Sequence, residues 1–327
     1  PAHAGAPALR RCQACSALMM SSSTNEMTSI TTATAVAPLN GSRFATVDDA
    51  GYAALIDPAT SPSSLERPIT MPMKNDLNFE LLAQYAPRPG RRALLPELTP
   101  HQQVAMLCRV LHREGYNDHI AGHLTVRQDD GTYLANPWEL TWAEVTASDI
   151  LRLDAKGKVI EGEWNITPAI NLHIDVHSAR HDVEVVIHNH PEWGSVWSAV
   201  SRVPPIYDQT SALVDTDPVR YDEYRGTVED GALGRAAADA LGQHKWALLA
   251  NHGVLLVANG IRQAHLRAIT LEWRCRMAWR VEMLGGGVPL PTDVVQATGQ
   301  RTDANGFPFL WEAMAREEIR KDPSVLE

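Results

Sequence analysis

The sequence has 327 residues, and its 39 acidic against 29 basic side chains give a formal net charge of −10. Hydrophobic residues make up 44% of the chain, which is enough for a buried core in one or two domains. The acidic balance disfavours nucleic-acid binding, which needs a basic face, and four cysteines are too few for a disulfide scaffold. No apolar run approaches the ~20 residues of a membrane helix. We therefore expect a cytoplasmic enzyme or binding protein with no membrane association.

The N-terminal part of the sequence differs from the rest in amino-acid composition and in its hydrophobic pattern. It is rich in serine, threonine, alanine and proline, and it shows no helical or strand periodicity, so it cannot bury enough apolar surface to offset its chain entropy. We expect residues 1–93 to form a largely disordered arm, residues 94–290 to form the folded domain, and residues 291–327 to form an extension with a short helix. Cys12 and Cys15 make a lone CxxC pair, for which two free thiols are favoured over half of a zinc site.

The ordered part of the sequence opens with a helix. Thr99 suits the N-cap and Gln102 completes a capping box, while Gly115 ends the apolar stripe. A loop then runs into a strand that ends at Arg127. Turn residues at 129–131 and 154–157 predict two hairpins, with strands at residues 132–135, 151–153 and 158–160.

Helices and strands alternate through the second half of the chain. Thr167 and Pro168 begin a helix to about Arg180, and the β-branched run at residues 183–187 predicts a buried strand. Further helices are expected at residues 191–201, 231–241, 261–284 and 310–320, and further strands at residues 246–250 and 254–257. This alternation, together with the antiparallel hairpins, predicts a layered α/β domain of the αβα type.

Histidines are concentrated in one part of the sequence, with five of the 13 between His173 and His190. His188 and His190 lie at the end of the predicted strand, and alternate strand residues project to one face, so both imidazoles point the same way. His252 lies in a tight turn between two buried strands, where Gly253 permits a close backbone approach. Three neutral imidazoles predict a catalytic site for Zn, Mn, Fe or Co with open coordination positions, although spacing alone leaves ordinary strand-end histidines as an alternative.

Three sequence blocks occur in order: GHLTVR at residues 122–127, DVEVVIHNHP at residues 182–191 and LANHGVLLV at residues 249–257. Together they resemble the class II aldolase/adducin family over roughly residues 100–285. The resemblance implies an αβα sandwich with a mainly antiparallel central sheet, and a homotetramer with active sites between subunits. It also implies that histidines at the positions of His188, His190 and His252 hold one divalent metal ion.

The sequence departs from the family's sugar-phosphate aldolases at three places. Those enzymes carry Ser-Ser-Glu before the helical histidine, and Ala169 stands in the slot of the glutamate that shuttles protons there. Their phosphate loop has Gly-Asn where this sequence has Gly122 and His123, and a second phosphate segment is replaced by Asn136 and Pro137. A sugar-phosphate aldolase or epimerase is therefore disfavoured.

Three functions remain compatible with these residues. The first is metal-dependent decarboxylation of a small-molecule carboxylate, namely an unphosphorylated hydroxy-aromatic, hydroxy or keto acid, in which the metal takes up electron density as CO2 leaves. The second is retro-aldol cleavage of an unphosphorylated hydroxy-carbonyl substrate. The third is a non-catalytic assembly module like adducin, against which the retention of three histidines argues. Iron-dependent oxygenation, found in a rarer branch of the family, also stays open.

Four residues are candidates for contact with the substrate. His123 puts a titratable group in the phosphate loop, and Tyr207 stands near the point where family aldolases place a tyrosine that reaches a neighbouring site, so either is a candidate proton donor or base. Arg127 is a candidate for binding a substrate carboxylate, or it pairs with an acid nearby. Trp193 forms an i, i+4 pair with Trp197 that offers a flat wall to an aromatic ring, or it simply packs in the core.

Two further residues are candidates to support the metal ligands. His173 and His177 lie four residues apart on one predicted helix, and the family resemblance makes His173 a structural residue or one that lies next to the ligands. Glu272 borders the apolar stripe of the helix at residues 261–284, where a buried carboxylate needs a partner. We predict a hydrogen bond between Glu272 and a ligand histidine, with an interface salt bridge as the alternative.

Overall fold

The computed structural model describes residues 90–223 and 231–327. The predicted disordered arm, except for its last few residues, lies outside these ranges, as do Cys12 and Cys15. None of the helices in the described ranges is both long enough and apolar enough to cross a membrane.

Eight strands form the central sheet. In chain order they are β1 (His123–Arg127), β2 (Tyr133–Ala135), β3 (Leu151–Leu153), β4 (Val159–Glu161), β5 (Val185–Asn189), β6 (Val219–Tyr221), β7 (Trp246–Leu249) and β8 (Gly253–Ala258). Their order across the sheet is β4-β3-β2-β1-β5-β8-β7-β6. Every neighbouring pair is antiparallel except β6 and β7, which are parallel. The mainly antiparallel sheet implied by the family resemblance is therefore confirmed.

Seven α-helices are found in the described residues. They are α1 (Pro100–Arg113), α2 (Ile170–Ala179), α3 (Glu192–Ser198), α4 (Gly231–Leu241), α5 (Ile261–Met283), α6 (Thr292–Asp303) and α7 (Leu310–Lys321). The predicted start of the first helix is confirmed, since the Thr99 hydroxyl accepts the Gln102 amide at 3.3 Å and the Gln102 side chain accepts the Thr99 amide at 3.0 Å. This closed capping box fixes where α1 begins.

The helices cover both faces of the sheet. On one face, α2 and α4 pack against alternate strand residues such as Val186 and Leu255. On the other face, α1, α3, α5 and α7 pack against Leu124, Ile187 and Trp246. Because neighbouring residues of a strand project to opposite faces, each central strand contributes to both cores. The αβα sandwich predicted from the sequence is therefore confirmed.

Two elements of the fold carry too weak an apolar pattern to be predicted. β6 is a three-residue edge strand in which every residue is only partly buried. α6 buries few residues and is held largely by polar bonds: Thr302 donates to the Leu213 carbonyl at 2.5 Å, and Asp303 pairs with Arg267 at 2.7 Å. Neither element has the periodic apolar stripe on which a sequence prediction depends.

β5 extends two residues past the predicted strand, through Asn189. The ladder continues because His188 pairs in register with Leu255 of β8 and with His123 of β1. His188 therefore lies inside the strand, held from both sides, and His190 follows the strand's end.

The predicted C-terminal helix is confirmed as α7, and it packs into the same core as the sheet. Trp311 of α7 is buried among residues of α1 and α5. Arg113 of α1 pairs with Glu318 of α7, and Arg109 of α1 pairs with Asp322 at 2.7 Å. The C-terminal extension therefore packs against α1 and forms ion pairs with it.

Candidate metal centre

Three histidines converge where β5 ends beside the turn between β7 and β8. His188 is in β5, His190 follows its end, and His252 lies in the turn. The antiparallel pairing of Asn189 with Val254 brings this turn beside the end of β5. The ligand atoms of the three imidazoles lie within 4.8 Å of one another. The structure thus brings the three predicted ligands together.

The arrangement fits one divalent metal ion. Two nitrogen ligands at 2.0–2.1 Å from a tetrahedral ion stand about 3.3–3.4 Å apart, and the Nε2 atoms of His188 and His190 are close to this separation, at 3.2 Å. The Nδ1–H of His188 donates to the Val254 carbonyl at 3.0 Å, and the Nδ1–H of His190 donates to the Asp118 carboxylate at 2.8 Å. Because a carbonyl and a carboxylate only accept, both imidazoles turn an Nε2 lone pair inward, as metal-binding histidines do.

Burial favours the neutral form of His188 and His252. It lowers the pKa of His252 to about 4, with the neighbouring His190 contributing, and it holds the pKa of His188 well below its usual range. A neutral imidazole is the form that binds a metal ion. Three protein nitrogens leave coordination positions for a substrate, which is the pattern of catalytic rather than structural zinc sites.

Glycine at position 253 is required for the convergence. A Cβ atom there would lie 2.5 Å from the Asn189 carbonyl oxygen and 2.5 Å from Cδ2 of His190. Asn251 adopts a left-handed conformation with φ of 53°, which turns the chain just before His252. The close backbone approach predicted at Gly253 is confirmed.

Asp118 is a residue of the candidate site that the sequence patterns did not indicate. Its carboxylate accepts the Nδ1–H of His190 and contacts Nδ1 of His119 at 2.9 Å. Partial burial raises the pKa of Asp118, but its hydrogen bonds with the two histidines outweigh this and lower the pKa below its usual range. A charged Asp118 fixes the ring orientation of His190. The available signal was that Asp118 is the one acidic residue between Glu114 and Asp129.

A second set of buried histidines lies directly beside His188. The ring centroids of His123 and His188 are 4.8 Å apart, and Nδ1 of His123 lies 2.6 Å from Nε2 of His173. The Thr125 hydroxyl contacts Nδ1 of His173 at 2.9 Å and Nε2 of His177 at 2.8 Å. We call His123, His173, Thr125 and His177 the imidazole chain. His173 therefore bonds to His123, which itself lies against the predicted ligand His188.

Every member of the imidazole chain is buried. Burial is the main cause that holds the pKa of His123 and His173 well below the usual range and lowers the pKa of His177 to about 3. The three imidazoles are thus neutral at neutral pH, and each carries a single N–H. The sequence paired His173 with His177 on one helix face but did not indicate Thr125, because this bridge depends on how β1 lies against α2.

Asn136 and Pro137 stand where the family's sugar-phosphate aldolases have a phosphate-binding segment. In this protein the side chain of Asn136 is hydrogen-bonded to other parts of the chain. The Asn136 side chain accepts the Leu124 amide at 2.8 Å and donates to the carbonyls of Gly122 at 3.2 Å and Pro137 at 3.0 Å. Nε1 of Trp142 donates to the same Gly122 carbonyl at 3.1 Å. The polar atoms of the Asn136 side chain are therefore already engaged within the protein.

Ala169 stands at the start of α2, one turn before His173. It is partly buried against the core between α2 and α4, and its amide donates to the Thr167 hydroxyl at 3.2 Å. Residues four apart share a helix face, so this slot lies beside the imidazole chain. A methyl group exchanges no proton, so Ala169 cannot replace the glutamate of the family's aldolases in proton transfer.

Two predicted substrate contacts, Arg127 and Trp193, have partners within the protein. Arg127 is at the opposite end of β1 from His123, about 13 Å along the strand, and its guanidinium donates to carbonyls at the end of α2 and to that of His181 at 3.2 Å. The Trp193 ring packs against Trp279 of α5, with ring centroids 5.1 Å apart. Arg127 thus binds the carbonyls at the end of α2, and Trp193 packs on the α5 side, in agreement with the core alternative. The substrate contacts of both residues stay predictions.

Glu272 is buried as predicted, but its partners are backbone amides. Its carboxylate oxygens accept the N–H groups of Trp193 and Gly194, each at 2.8 Å. Pro191, the N-cap residue of α3, has no side chain that accepts these bonds, so Glu272 caps the helix from α5. Burial raises the pKa of Glu272 to about 7. The predicted bond with a ligand histidine is therefore wrong, although the cap fixes the helix that follows His190.

Tyr207 lies beside the end of α5, where its hydroxyl donates to the Glu282 carboxylate at 2.9 Å. This bond directs the hydroxyl to α5. The role of Tyr207 as a proton donor stays a prediction, because the family resemblance places the corresponding tyrosine in the site of a neighbouring subunit.

A family model described as the class II aldolase and adducin N-terminal domain matches residues 102–279, which is more than half of the chain. The chain belongs to this family. The matched residues run from α1 into α5 and include the three converging histidines and the whole imidazole chain.

Two curated relatives match most of the folded part of this chain in sequence. The chain is 32% identical over 202 residues to the 4-hydroxy-3-prenylphenylpyruvate oxygenase/4-hydroxy-3-prenylbenzoate synthase of Streptomyces roseochromogenus subsp. oscitans, a match over 60% of this chain and 73% of the relative. It is 31% identical over 231 residues to decarboxylase NovR of Streptomyces niveus, over 68% of this chain and 84% of the relative.

A solved structure agrees with the fold. The L-fuculose 1-phosphate aldolase from Glaciozyma antarctica PI12 matches 75% of this chain and 99% of its own, with a TM-score of 0.63 and 23% sequence identity. At this identity the likeness shows the shared αβα sandwich and nothing about the substrate.

Proposed function

We propose that the protein is a divalent-metal-dependent carbon–carbon lyase, and specifically a decarboxylase of an unphosphorylated hydroxy-aromatic, hydroxy or keto acid. The observation that carries this proposal is the convergence of three imidazoles beside a segment whose polar groups are already hydrogen-bonded internally. Such a site offers three ligands to a metal ion. The side-chain amide of Asn136 is already hydrogen-bonded within the protein and is not available to bind a phosphate group. The name of one relative, decarboxylase NovR, supports the reaction type. The name of the other, an oxygenase and benzoate synthase, supports an aromatic substrate and also keeps oxygenation as an alternative.

His188, His190 and His252 would hold the metal ion, which we expect to be Zn, Mn, Fe or Co. When bound, a divalent ion binds the oxygens of a hydroxy or keto acid and draws electron density from the carbon that loses CO2. Asp118 and the Val254 carbonyl keep two of the three rings in the orientation that this requires.

Decarboxylation also requires a proton. The bond between the carboxyl group and its carbon breaks, the electron pair stays on the carbon, and a donor must supply a proton there. We assign this proton transfer to His123, which is buried beside His188, with Tyr207 of a neighbouring subunit as the second candidate. Ala169 leaves no carboxylate in the family's slot to do it.

We propose further that the protein assembles as a homotetramer with active sites between subunits and that it works in the cytoplasm. Exposed apolar side chains near the end of α5, such as Trp279 and Met283, offer a surface to a second copy. Such an assembly would let Tyr207 meet a neighbouring site. Cys108 and Cys275 are buried free thiols, a state typical of a reducing compartment.

A retro-aldolase for an unphosphorylated hydroxy-carbonyl substrate is the second candidate. The contact of 2.6 Å between His123 and His173 favours it, because a paired imidazole is suited to accept the proton of a substrate hydroxyl. The two candidates differ in their products, since a decarboxylase releases CO2 and a retro-aldolase releases a second carbonyl compound.

Metal analysis and a substrate screen test the proposal. The purified protein should contain near-stoichiometric divalent metal, release CO2 from at least one hydroxy-aromatic or keto acid, and lose this activity in a chelator. His123→Gln should keep the metal and lower turnover by roughly 10²–10⁴-fold. Carbonyl products without CO2 would favour the retro-aldolase, oxygen uptake would favour iron-dependent oxygenation, and metal-free protein without turnover would favour an adducin-like assembly module.

A further inference from the structure

Asn189, the residue between two of the predicted metal ligands, projects away from them. Alternate strand residues project to opposite faces of the sheet, so its side chain lies on the α5 side of β5, whereas His188 projects toward α2. Only 1% of the surface of Asn189 is exposed. A buried amide costs free energy unless its polar atoms are paired, so the partners of Asn189 show what holds it there.

Both polar atoms of the Asn189 side chain have backbone partners beside the metal centre. Oδ1 accepts the N–H of His190 at 2.7 Å, and Nδ2 donates to the Tyr116 carbonyl at 3.4 Å. A backbone N–H only donates and a carbonyl only accepts, so these partners fix which side-chain atom is oxygen and which is nitrogen. His190 lies past the last paired residue of β5, and the Asn189 side chain therefore accepts its N–H in place of a strand carbonyl.

The Tyr116 end of this connection is itself fixed. Tyr116 is fully buried, and its hydroxyl donates to the Ala268 carbonyl of α5 at 2.8 Å. Two residues further along the chain, the Asp118 carboxylate bonds to Nδ1 of His190 at 2.8 Å. The segment that follows α1 is thus connected to His190 twice, at the backbone through Asn189 and at the ring through Asp118.

Two glycines lie against Asn189. A Cβ atom at Gly122 would lie 2.1 Å from Nδ2 of Asn189, and a Cβ atom at Gly253 would lie 2.5 Å from the Asn189 carbonyl oxygen. Gly253 directly follows His252 in the sequence. Because neither glycine position has room for a side chain, Asn189 is packed between the loop before β1 and the turn that carries the third predicted ligand.

We infer that Asn189 is a positioning residue of the metal centre, whose side-chain amide fixes the backbone of His190 relative to His188 and thereby sets the affinity for a divalent ion. The inference rests on the proposed metal ligands His188, His190 and His252. Asn189 projects to the opposite face from the ligand rings, so it acts through the backbone of His190 and is not itself a ligand.

A titration with Co²⁺ alone tests this inference. Co²⁺ held by imidazoles at a low coordination number absorbs visible light more strongly than hydrated Co²⁺, so a titration of chelator-treated protein gives both the affinity and a spectrum that reports the ligand geometry. Asn189→Ala removes both side-chain bonds, and Asn189→Leu removes them but fills the space. Both variants should bind Co²⁺ roughly 10–100-fold more weakly than the wild type, with an altered visible spectrum.

Asn136→Ala is the matched control. Asn136 is also a buried asparagine, and none of its three side-chain hydrogen bonds reaches the backbone of a predicted ligand. This variant should lose stability in denaturant unfolding but keep nearly the wild-type affinity and spectrum for Co²⁺. Wild-type affinity in both Asn189 variants, or an equal loss of affinity in Asn136→Ala, would overturn the inference.

Gly122→Ala tests the same contact from the other side. The added methyl group would meet Nδ2 of Asn189 and displace its side chain, so the affinity for Co²⁺ should fall although both bonding groups of Asn189 remain. In Asn189→Ala protein the methyl group no longer meets that side chain, so Gly122→Ala should add little further loss. Fully additive losses would show that the two residues act independently and would contradict the positioning role.

Turnover separates this inference from the proposed function. Weaker Co²⁺ binding in the Asn189 variants supports the positioning role whether or not the protein releases CO2 from an acid. If the wild-type protein binds Co²⁺ but converts no acid tested, the lyase proposal fails and the positioning role stands on the titrations. If the wild-type protein binds no Co²⁺, the proposed metal centre and the role of Asn189 both fail.

Discussion

The two faces of β1 and β5 are almost equally buried but carry opposite chemistry. Leu124 and Ile187 project toward α5 and pack in an apolar core, with 0% and 1% of their surface exposed. His123, Thr125 and His188 project from the same strands toward α2, and none of them is more than 7% exposed. Burial alone therefore does not distinguish the face that builds the fold from the face that carries the chemistry.

The difference lies in what stabilises each face. Apolar side chains gain free energy from the area that they remove from water, about 25 cal/mol per Å². Buried imidazoles lose free energy unless their nitrogens are paired, so the face toward α2 depends on hydrogen bonds and, by our proposal, on a metal ion. Substitutions on the two faces should therefore separate stability from metal binding.

Removal of a predicted metal ligand should give the largest effect. His188→Ala, His190→Ala and His252→Ala should each lose most of the bound metal, because two imidazoles hold a divalent ion far less tightly than three. Plasma mass spectrometry of dialysed protein measures the metal content. His181→Ala, which removes an exposed histidine outside the cluster, is the matched control. Near-stoichiometric metal in all three ligand variants would rule out the site.

Leu124→Ala tests the apolar face of the same strands. The side chain is fully buried, so its truncation should lower the free energy of unfolding by about 2–5 kcal/mol. Denaturant unfolding followed by circular dichroism measures this change. The metal content per folded chain should equal that of the wild type, because Leu124 projects away from the imidazoles. Metal loss in folded Leu124→Ala protein would break the separation between the two faces.

The sequence was sufficient to predict the ligand cluster but not the hydrogen bonds behind it. His188 and His190 were predictable because a two-residue spacing on a strand is a local property. Thr125 was not, since its two contacts depend on how β1 lies against α2, which no local pattern contains. The partner of Arg127 could not be predicted either. The sequence around a basic residue at the end of a strand is the same whether the side chain binds a substrate or backbone carbonyls such as that of His181.

For the fold, too, local elements were predictable from the sequence and contacts between distant segments were not. Alternating helices and strands indicated the layers, and the turn residues indicated the hairpins. The order of strands across the sheet and the parallel pairing of β6 with β7 depend on contacts between distant segments. α6 was missed because polar bonds from Thr302 and Asp303 hold it in place of an apolar stripe.

Glu272 is a buried carboxylate on the α5 side of the sheet, and its substitution should give a smaller, pH-dependent effect. Its pKa is raised to about 7 by burial, against an ordinary value of 4.5. Between these values the folded protein binds more protons than the unfolded chain, so the contribution of Glu272 to stability falls as pH rises from about 4.5 to about 7. The loss amounts to at most about 3 kcal/mol. Glu272→Gln should flatten this part of the pH dependence.

Denaturant unfolding of both proteins at a series of pH values measures the slope. Glu163→Gln, at an exposed position, is the control and should keep the wild-type slope. Equal slopes in the wild type and Glu272→Gln would show that burial does not destabilise the charged carboxylate. Glu272→Gln replaces one of the two accepting oxygens with a nitrogen that only donates, so one of the two bonds to the amides of Trp193 and Gly194 is lost and α3 should be weaker.

The smallest effect is expected at Ala169, on the face toward α2. Ala169→Glu restores the carboxylate of the family's sugar-phosphate aldolases, yet we expect no gain in cleavage of ketose or aldose 1-phosphates. Asn136 would still have its polar atoms engaged within the protein, and His123 would still fill the loop. Detection of the aldehyde product measures cleavage, with Ala169→Gln as the control of equal size without the charge.

This experiment distinguishes two reasons why the protein would not cleave sugar phosphates: the absence of the carboxylate at position 169 and the absence of the phosphate contacts. Cleavage that appears with glutamate and not with glutamine at position 169 would mean that a phosphate still finds an anchor and that the missing carboxylate was the only barrier. No cleavage in either variant would mean that the phosphate contacts are the barrier, as the bonds of Asn136 indicate. Efficient cleavage by the unmodified protein would instead favour an aldolase with a relocated base. For that role the structure offers His123, whose ring lies beside His188 and whose contact with His173 is made through Nδ1 and not through Nε2.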